Sequence, residues 1–323
     1  MTYKRKFAIL SAITAALAIA YILGVVFEPE RRSERNAAFS WLEPRIVPRI
    51  DTITITKGET ALTLLLQGGR WYVSQNEKKY PAKQLRAADF VGLFTRRAPY
   101  PVLSTSASSH ERLGLDEAFA TRITFSGGED SPVLDILIGQ PDVTGRNVYM
   151  RKYGQNEVYS GENVFTAYTS GELSSWYNLR LIPETEDGRL DIDQIQRLTV
   201  YSDSSDASAA QVFTRNGREW TVSGMEIPEL DMSAIDAYAR GVLTAEGSEF
   251  NDTISVDAPE LNESRILIEL GNGEIKSIRF SAPDENDNRL AAVSGSDLVY
   301  SIPMWVSARL FYENDHFKKQ PQQ

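Results

Sequence analysis

Gly68-Gly69-Arg70-Trp71-Tyr72-Val73 follows two short apolar runs, Ile53-Thr54-Ile55-Thr56 and Ala61–Leu66. Much later in the chain, Asn216-Gly217-Arg218-Glu219-Trp220-Thr221-Val222 follows Leu198-Thr199-Val200-Tyr201 and Gln211-Val212-Phe213. Alternation of apolar and polar side chains is the period of a half-buried strand, and a glycine between two such runs marks a hairpin turn. The same β-hairpin, ending on a strand that carries a tryptophan, is therefore expected twice.

A helix is expected after each hairpin. Pro81 precedes Lys83–Arg97, where Leu85, Ala88, Val91 and Phe94 share one helical face. Pro228 precedes Asp231–Leu243, where Ile235, Tyr238, Ala239 and Val242 do the same. Proline just ahead of a helix is ordinary punctuation. The two halves continue in step: Arg122–Phe125 answers to Arg265–Ile268, Leu134–Ile138 to Ile275–Phe280, and Val158-Tyr159-Ser160 to Val299-Tyr300-Ser301. Aromatic helices are expected last, over Phe165–Tyr177 and Trp305–Tyr312. The offset between halves is 149 at the tryptophans, 143 at Ile123/Ile266 and 141 at Tyr159/Tyr300. Order kept over so long a stretch argues for internal repetition. The expected fold class is α+β: two tandem, duplicated modules of antiparallel sheet with packed helices, over residues 49–183 and 184–317. The join, Pro183-Glu184-Thr185-Glu186-Asp187-Gly188-Arg189, is polar and broken by Pro and Gly, as domain boundaries are. Residues 318–323 read as a polar tail.

Ahead of both modules stands Phe7–Phe27, 21 residues without a charge, preceded by Lys4-Arg5-Lys6. As a helix this run is roughly 30 Å long, the thickness of a bilayer's hydrocarbon core. It exceeds a secretory h-region, and no small-x-small cleavage site follows it, so residues 7–27 read as a retained single-pass transmembrane helix. Lys4, Arg5 and Lys6 abut the helix more tightly than Arg31, Arg32 and Arg35 do. That places residues 1–6 in the cytoplasm and the body outside the inner, or cytoplasmic, membrane. Residues 28–48, with Pro29, Pro44 and Pro48, read as a stalk, helical across Ser33–Leu42.

The formal net charge is −10. The first 27 residues hold three basic side chains and no acidic one, which leaves −13 on the remainder. Such a surface repels nucleic acid. The absence of cysteine excludes disulfides, thiolate metal sites and cysteine nucleophiles.

Motifs for chemistry fall short of their geometric requirements. His110 and His316 are the two histidines, and no Gly-x-Ser-x-Gly elbow presents a nucleophile to either. Asp284-Glu285-Asn286-Asp287-Asn288 opens like a calcium loop but has Arg289 at its sixth position and Gly295 at its twelfth, so it reads as a solvated hairpin loop. Gly271-x-Gly273 reads as a turn between strands. No catalytic residue, metal ligand or cofactor is expected. Tyr100, Trp176, Tyr177, Phe311 and Tyr312 are the candidates for a partner or ligand surface, with core packing as the competing reading.

A further set of residues carries a resemblance. Gly69-Arg70-Trp71-Tyr72-Val73 is followed by Tyr80-Pro81-Ala82, Leu113-Gly114-Leu115-Asp116, Leu137-Ile138-Gly139, Val148-Tyr149-Met150-Arg151 and Val158-Tyr159-Ser160. This order resembles the bacterial proteins grouped as domain of unknown function 4340. The resemblance covers residues 50–183 and, more faintly, 184–317. It implies an envelope protein encoded beside gliding-motility-type ABC transporter subunits, and it brings no catalytic residues. The second half lacks the Leu-Gly-Leu motif and has Leu290-Ala291-Ala292-Val293 where Val148–Arg151 stands. The expected function is a non-catalytic, membrane-anchored, extracytoplasmic accessory or scaffold protein partnering an ABC-type transport system. The alternatives are an envelope polymer- or peptide-binding module and a hydrolase with an unrecognised site.

Overall fold

Alternating side chains make strands here, and the glycine turns join them in antiparallel order. The computed structural model describes residues 17, 38–128, 132–169, 173–183 and 190–319. The expected anchor, apart from Leu17, and residues 28–37 of the expected stalk lie outside the described residues. Among the described residues no helix is long and apolar enough to cross a membrane. The chain divides into two compact units between Tyr177 and Asn178.

Unit 1 runs β1 (Ala38–Phe39), β2 (Thr52–Lys57), β3 (Thr60–Gln67), β4 (Arg70–Gln75), β5 (Lys78–Pro81), α1 (Gln84–Thr95), β6 (Ala98–Pro99), β7 (Val102–Ser104), β8 (Thr121–Ser126), β9 (Leu134–Pro141), β10 (Asn147–Lys152), β11 (Val158–Glu162) and α2 (Thr166–Thr169). Its nine-stranded sheet has the order β5-β4-β3-β2-β8-β9-β10-β11-β7. Unit 2 runs β12 (Ile195–Tyr201), β13 (Gln211–Asn216), β14 (Glu219–Val222), α3 (Met232–Leu243), β15 (Glu249–Asn251), β16 (Ser264–Leu270), β17 (Ile275–Phe280), β18 (Arg289–Val293), β19 (Val299–Ile302) and α4 (Met304–Leu310). Its eight-stranded sheet has the order β14-β13-β12-β16-β17-β18-β19-β15. Without β5, the two orders are the same: a three-stranded meander, a helical crossover, an edge strand, then a four-stranded meander back to that edge. The fold is α+β, with antiparallel sheets and few helices.

One face of each sheet is covered by helix. In unit 1, Ile53, Ile55, Ile123 and Phe125 point toward Phe90 and Phe94 of α1, with the Phe94 and Phe125 rings 4.8 Å apart. In unit 2, Leu198, Phe213, Ile266 and Ile268 share a buried core with Ile235, Tyr238, Ala239 and Val242 of α3. Each fully buried side chain of this size contributes about 1.5–3 kcal/mol. The opposite face of each sheet carries a smaller cluster: Leu115, Ala120, Leu137 and Val158 in unit 1, and Leu261, Ala292 and Val299 in unit 2.

Several expectations are corrected. In α1 the buried residues are Ala87, Phe90, Val91 and Phe94, while Leu85 is 74% exposed and Ala88 is exposed. Both sets have helical spacing; the heavier aromatic pair decides which stripe meets the sheet. The α3 face falls on the four expected residues and adds Leu243. Residues 38–42 are packed within unit 1 and do not form a free stalk: β1 pairs with β6, Trp41 and Leu42 are buried, and the Leu42 N–H donates to the Phe94 carbonyl at 2.9 Å. The described part of the helix expected across Ser33–Leu42 is strand and bend. Pro44 and Pro48 suggested a linker, but Phe39, Trp41 and Leu42 bring enough apolar area to dock it.

The start of unit 2 also precedes the polar join. Leu181 and Ile182 belong to its core, Arg180 bridges Glu246, and the Leu181 N–H donates to the Ala245 carbonyl at 3.0 Å. At the other end, Lys318 and Lys319 are held to Leu230 and Glu229, so the described part of the polar tail is tied down. The aromatic segment Phe165–Tyr177 is a four-residue helix and a separate 3-10 turn, Leu173–Trp176, with residues 170–172 outside the described set.

Candidate functional site

Tyr100, Trp176 and Tyr177 are core residues of unit 1 and line no open surface. Tyr100 packs between Phe39 and Trp41, with ring centroids 5.0 and 5.2 Å away, and burial raises its pKa. Trp176 meets Phe90 edge-on, with the Arg86 guanidinium 4.7 Å from its ring centre. The Tyr177 hydroxyl donates to Gln75 Oε1 at 2.6 Å. In unit 2, Phe311 and Tyr312 are half-buried: Phe311 packs on Phe280, and Tyr312 stacks on the exposed His316 at 3.7 Å. His110 is half-buried, with Nε2 3.1 Å from the Asn156 carbonyl.

Of the residues that carry the family resemblance, Leu113, Leu115, Leu137, Tyr149 and Val158 meet in the small outer cluster of unit 1, while Tyr80 packs on Tyr177. Gly114 has φ +66°, and a Cβ on Gly139 would overlap the Leu113 carbonyl. The buried Arg151 donates through Nε to the Leu115 carbonyl at 3.1 Å and through Nη1 to the Gln155 carbonyl at 3.2 Å. These motifs fasten a loop to a sheet; their role is structural.

The candidate site is a pocket of about 400 Å³ at one end of the unit 2 sheet. Ser248, Glu249 and Asn251 come from β15 and the residue before it. The β17–β18 loop supplies Ser281, Asp284 and Asn288. Arg289 and Leu290 open β18, and Ser301, Ile302 and Pro303 close β19 and lead into α4.

Local hydrogen bonds fix this loop. Asp284 Oδ1 accepts from the N–H groups of Asn286 and Asn288 at 2.8 and 2.9 Å, which lowers the Asp284 pKa. Asp287 takes the left-handed conformation, with φ 60°. The carboxylate that suggested a calcium loop therefore binds its own backbone. Among the described residues no group of three or more His, Asp or Glu side chains is placed to hold a metal. Asn288 Oδ1 accepts from the Met304 N–H at 3.1 Å, tying the loop to α4. Ser281 Oγ accepts from the Leu290 N–H at 2.9 Å and donates to the Ala282 carbonyl at 2.8 Å.

Arg289 is half-buried in this frame. Its Nη1 donates to the fully buried Ser264 Oγ at 3.0 Å and to the Ser281 carbonyl at 2.9 Å. Its guanidinium carbon lies 5.0 Å from the centre of the Phe311 ring. Burial lowers its pKa, against the fields of Asp287 and Glu263, yet among the described residues no carboxylate pairs with it directly. Its Nε and Nη2 make no hydrogen bond to the described residues. On the face of the sheet opposite to the Arg289 side chain, Ser301 Oγ lies 3.5 Å from Glu249 Oε1.

Arg289 is not among the residues that the sequence marks as a candidate surface; there it stands as the residue that breaks a calcium-loop pattern. The available signal was its place in Arg289-Leu290-Ala291-Ala292-Val293. Strand alternation puts it on the core face with Ala291 and Val293.

Unit 1 treats the corresponding position differently. Arg289 pairs across with Ile302, two residues past Tyr300, just as Val148 pairs with Gly161, two residues past Tyr159, so Arg289 and not the expected Leu290 is the counterpart of Val148. Ser248 lies two residues before Phe250, which pairs with Tyr300; Tyr100 lies two before Val102, which pairs with Tyr159. Where unit 2 has Arg289 and Ser248, unit 1 has the buried Val148 and Tyr100, and the Tyr100 ring would stand 3.0 Å from a Cβ on Gly161.

No curated protein and no solved structure matches the chain. The family described as Domain of unknown function (DUF4340) matches residues 71–263, more than half of the chain, from β4 to the residue before β16. With that match, and with the Gly-Arg-Trp hairpin, the Leu-Gly-Leu loop and the Arg151 clasp in place, the chain belongs to the DUF4340 family.

Proposed function

We propose that this chain is a membrane-tethered, extracytoplasmic, non-catalytic binding and scaffold protein of two duplicated modules, working beside an ABC-type transport system. The observation that carries the binding reading is the state of the polar groups in the unit 2 pocket. Asp284 and Ser281 spend their bonds on their own loop, and Arg289 is held through Nη1 with its other edge unspent. Rigid, pre-oriented donors suit recognition of a ligand. Asp284, with its pKa lowered, suits proton transfer near neutral pH poorly.

The duplication is supported by the shared strand order and by matching edges. Ala38–Phe39 adds to Ala98–Pro99 in unit 1, and Arg180 bridges Glu246 in unit 2. The tether rests on the uncharged run Phe7–Phe27, and the transport partner on the family resemblance. The test is affinity purification of the full chain from membranes in mild detergent, with protease treatment of spheroplasts beside it. Co-recovery of transporter permease subunits and cleavage of the body from outside are expected. Repeated recovery of the chain alone, or a body cut only in inverted vesicles, overturns the proposal.

A further inference from the structure

The two sheets treat one arginine in different ways. In unit 1, Arg122 pairs across with Leu137, and its diagonal neighbour on β9 is Asp135. Asp135 accepts from Arg122 Nε at 2.9 Å and from Nη2 at 2.6 Å, and the Tyr153 ring centre lies 3.7 Å from the same guanidinium. Ile123 and Ile266 are core residues at matching places, so the counterpart of Arg122 in unit 2 is Arg265. Arg265 pairs across with Arg279, and its diagonal neighbour on β17 is Ser277. Unit 2 thus has a hydroxyl in place of the carboxylate and a second cation in place of Leu137. Directly paired residues share one face of the sheet with Cβ atoms about 4.5–5.5 Å apart, where like charges are destabilising. Among the described residues no carboxylate bonds either arginine. Arg279 is spent on the loop over this face: Nη2 donates to the Val256 carbonyl at 2.6 Å and Nη1 to Asn262 Oδ1 at 3.4 Å. Arg265 lies 4.1 Å from the ring centre of Tyr201, its partner on the other neighbouring strand. Its Nε is buried without a partner, while Nη1 and Nη2 reach solvent and bond none of the described residues. The Ser277 hydroxyl bonds none of them either.

We propose that Arg265 binds a carboxylate of a ligand, which does for it what Asp135 does for Arg122, with Arg279 adding its charge beside it. A guanidinium edge receives a carboxylate through two parallel hydrogen bonds. The bound anion also relieves the opposition of the two cations. The chain's net charge of −10 opposes anions at long range. Salt at about 0.1 M screens exposed charges more than about 10 Å apart, so contact with the two arginines decides. Unit 1 offers no second site of this kind, because Asp135 already holds Arg122. The site shares no residue with the pocket and needs no transport partner, so failure of co-purification leaves it standing.

The test is saturation-transfer NMR on the full chain in detergent, with succinate as the probe and succinamide, its uncharged diamide, as the control. Succinate is expected to receive saturation from the wild-type chain, and succinamide to receive none. Arg265→Gln is expected to abolish the succinate signal. Because Arg265 makes no hydrogen bond to the described residues, the melting temperature of that variant without succinate should stay unchanged or rise, as one of two opposed cations is removed. Ser277→Asp supplies an internal carboxylate at the position that Asp135 has in unit 1. It is expected to abolish the succinate signal while raising the melting temperature, which separates loss of the site from loss of the fold. No signal from succinate with the wild-type chain overturns the proposal. So does an equal signal from succinamide, or a succinate signal that survives Arg265→Gln or Ser277→Asp.

Discussion

Backbone space separates glycines that look alike in the sequence. A Cβ on Gly127 would overlap the Arg49 carbonyl, and one on Gly161 would stand 2.6 Å from Met150 Sδ and 3.0 Å from the Tyr100 ring. Gly92 and Gly241 sit on the exposed faces of α1 and α3, with nothing within 4 Å of such a Cβ. Gly127→Ala should therefore cost about 1–3 kcal/mol by overpacking. Gly92→Ala and Gly241→Ala should each add about 0.5–1 kcal/mol, because alanine loses less chain entropy in a helix. Urea unfolding of the three variants checks the difference in sign. A charged residue shows a second local effect. Asp142 accepts from the Thr144 hydroxyl at 2.8 Å and the Asn147 side-chain amide at 3.1 Å, which hold its pKa at about 2 against the ordinary 3.8. A carboxyl that binds its proton more weakly when folded stabilises the fold above its unfolded pKa and loses that contribution as pH falls through the folded one. Stability should thus decline between about pH 4 and about pH 2. The decline should be smaller in Asp142→Asn, as denaturant titrations across that range would read.

Elements were legible to different depths. Strands such as Ile53–Thr56 and Arg265–Ile268 carry their period openly, so existence and pairing partners follow from alternation and turns. The face of α1 did not follow, because two helical stripes compete: Leu85, Ala88, Val91 and Phe94 against Ala87, Phe90, Val91 and Phe94. Only the neighbours decide, and those neighbours, Phe125 and Trp176, are remote in sequence. Phe94→Ala should cost about 3–5 kcal/mol, whereas Leu85→Ala should stay within about 0.5 kcal/mol. Equal losses in chemical unfolding would show that α1 docks by the other stripe. The same remoteness hid the pocket. Arg289 and Glu249 are 40 residues apart, and only the β18–β19–β15 pairing brings their strands together. Tyr100 and Trp176 failed as surface residues for the converse reason: rings from elsewhere in the chain close over them.

At the scale of the molecule, the question is where each folding unit begins. Composition put the starts at residues 49 and 184, after proline-rich or polar stretches. Packing puts them earlier, because short apolar segments dock on the edge beside each crossover helix. Phe39, Trp41 and Leu42 do so in unit 1, with the Phe39 and Trp41 rings 5.0 Å apart; Leu181 and Ile182 do so in unit 2. Breaker residues mark where a chain can turn, while buried area decides what it turns onto. A fragment of residues 178–319 should therefore unfold in one cooperative transition, since its core is complete. A fragment of residues 184–319 omits two nearly inaccessible side chains, Leu181 and Ile182, and exposes the core they cover. Its stability should fall by about 3–6 kcal/mol, at about 1.5–3 kcal/mol for each side chain, enough to unfold a marginal domain. In unit 1, residues 38–177 and 49–177 should differ in the same direction. Circular dichroism in increasing urea reads both pairs. Matching midpoints within each pair would return the docked segments to the role of linkers.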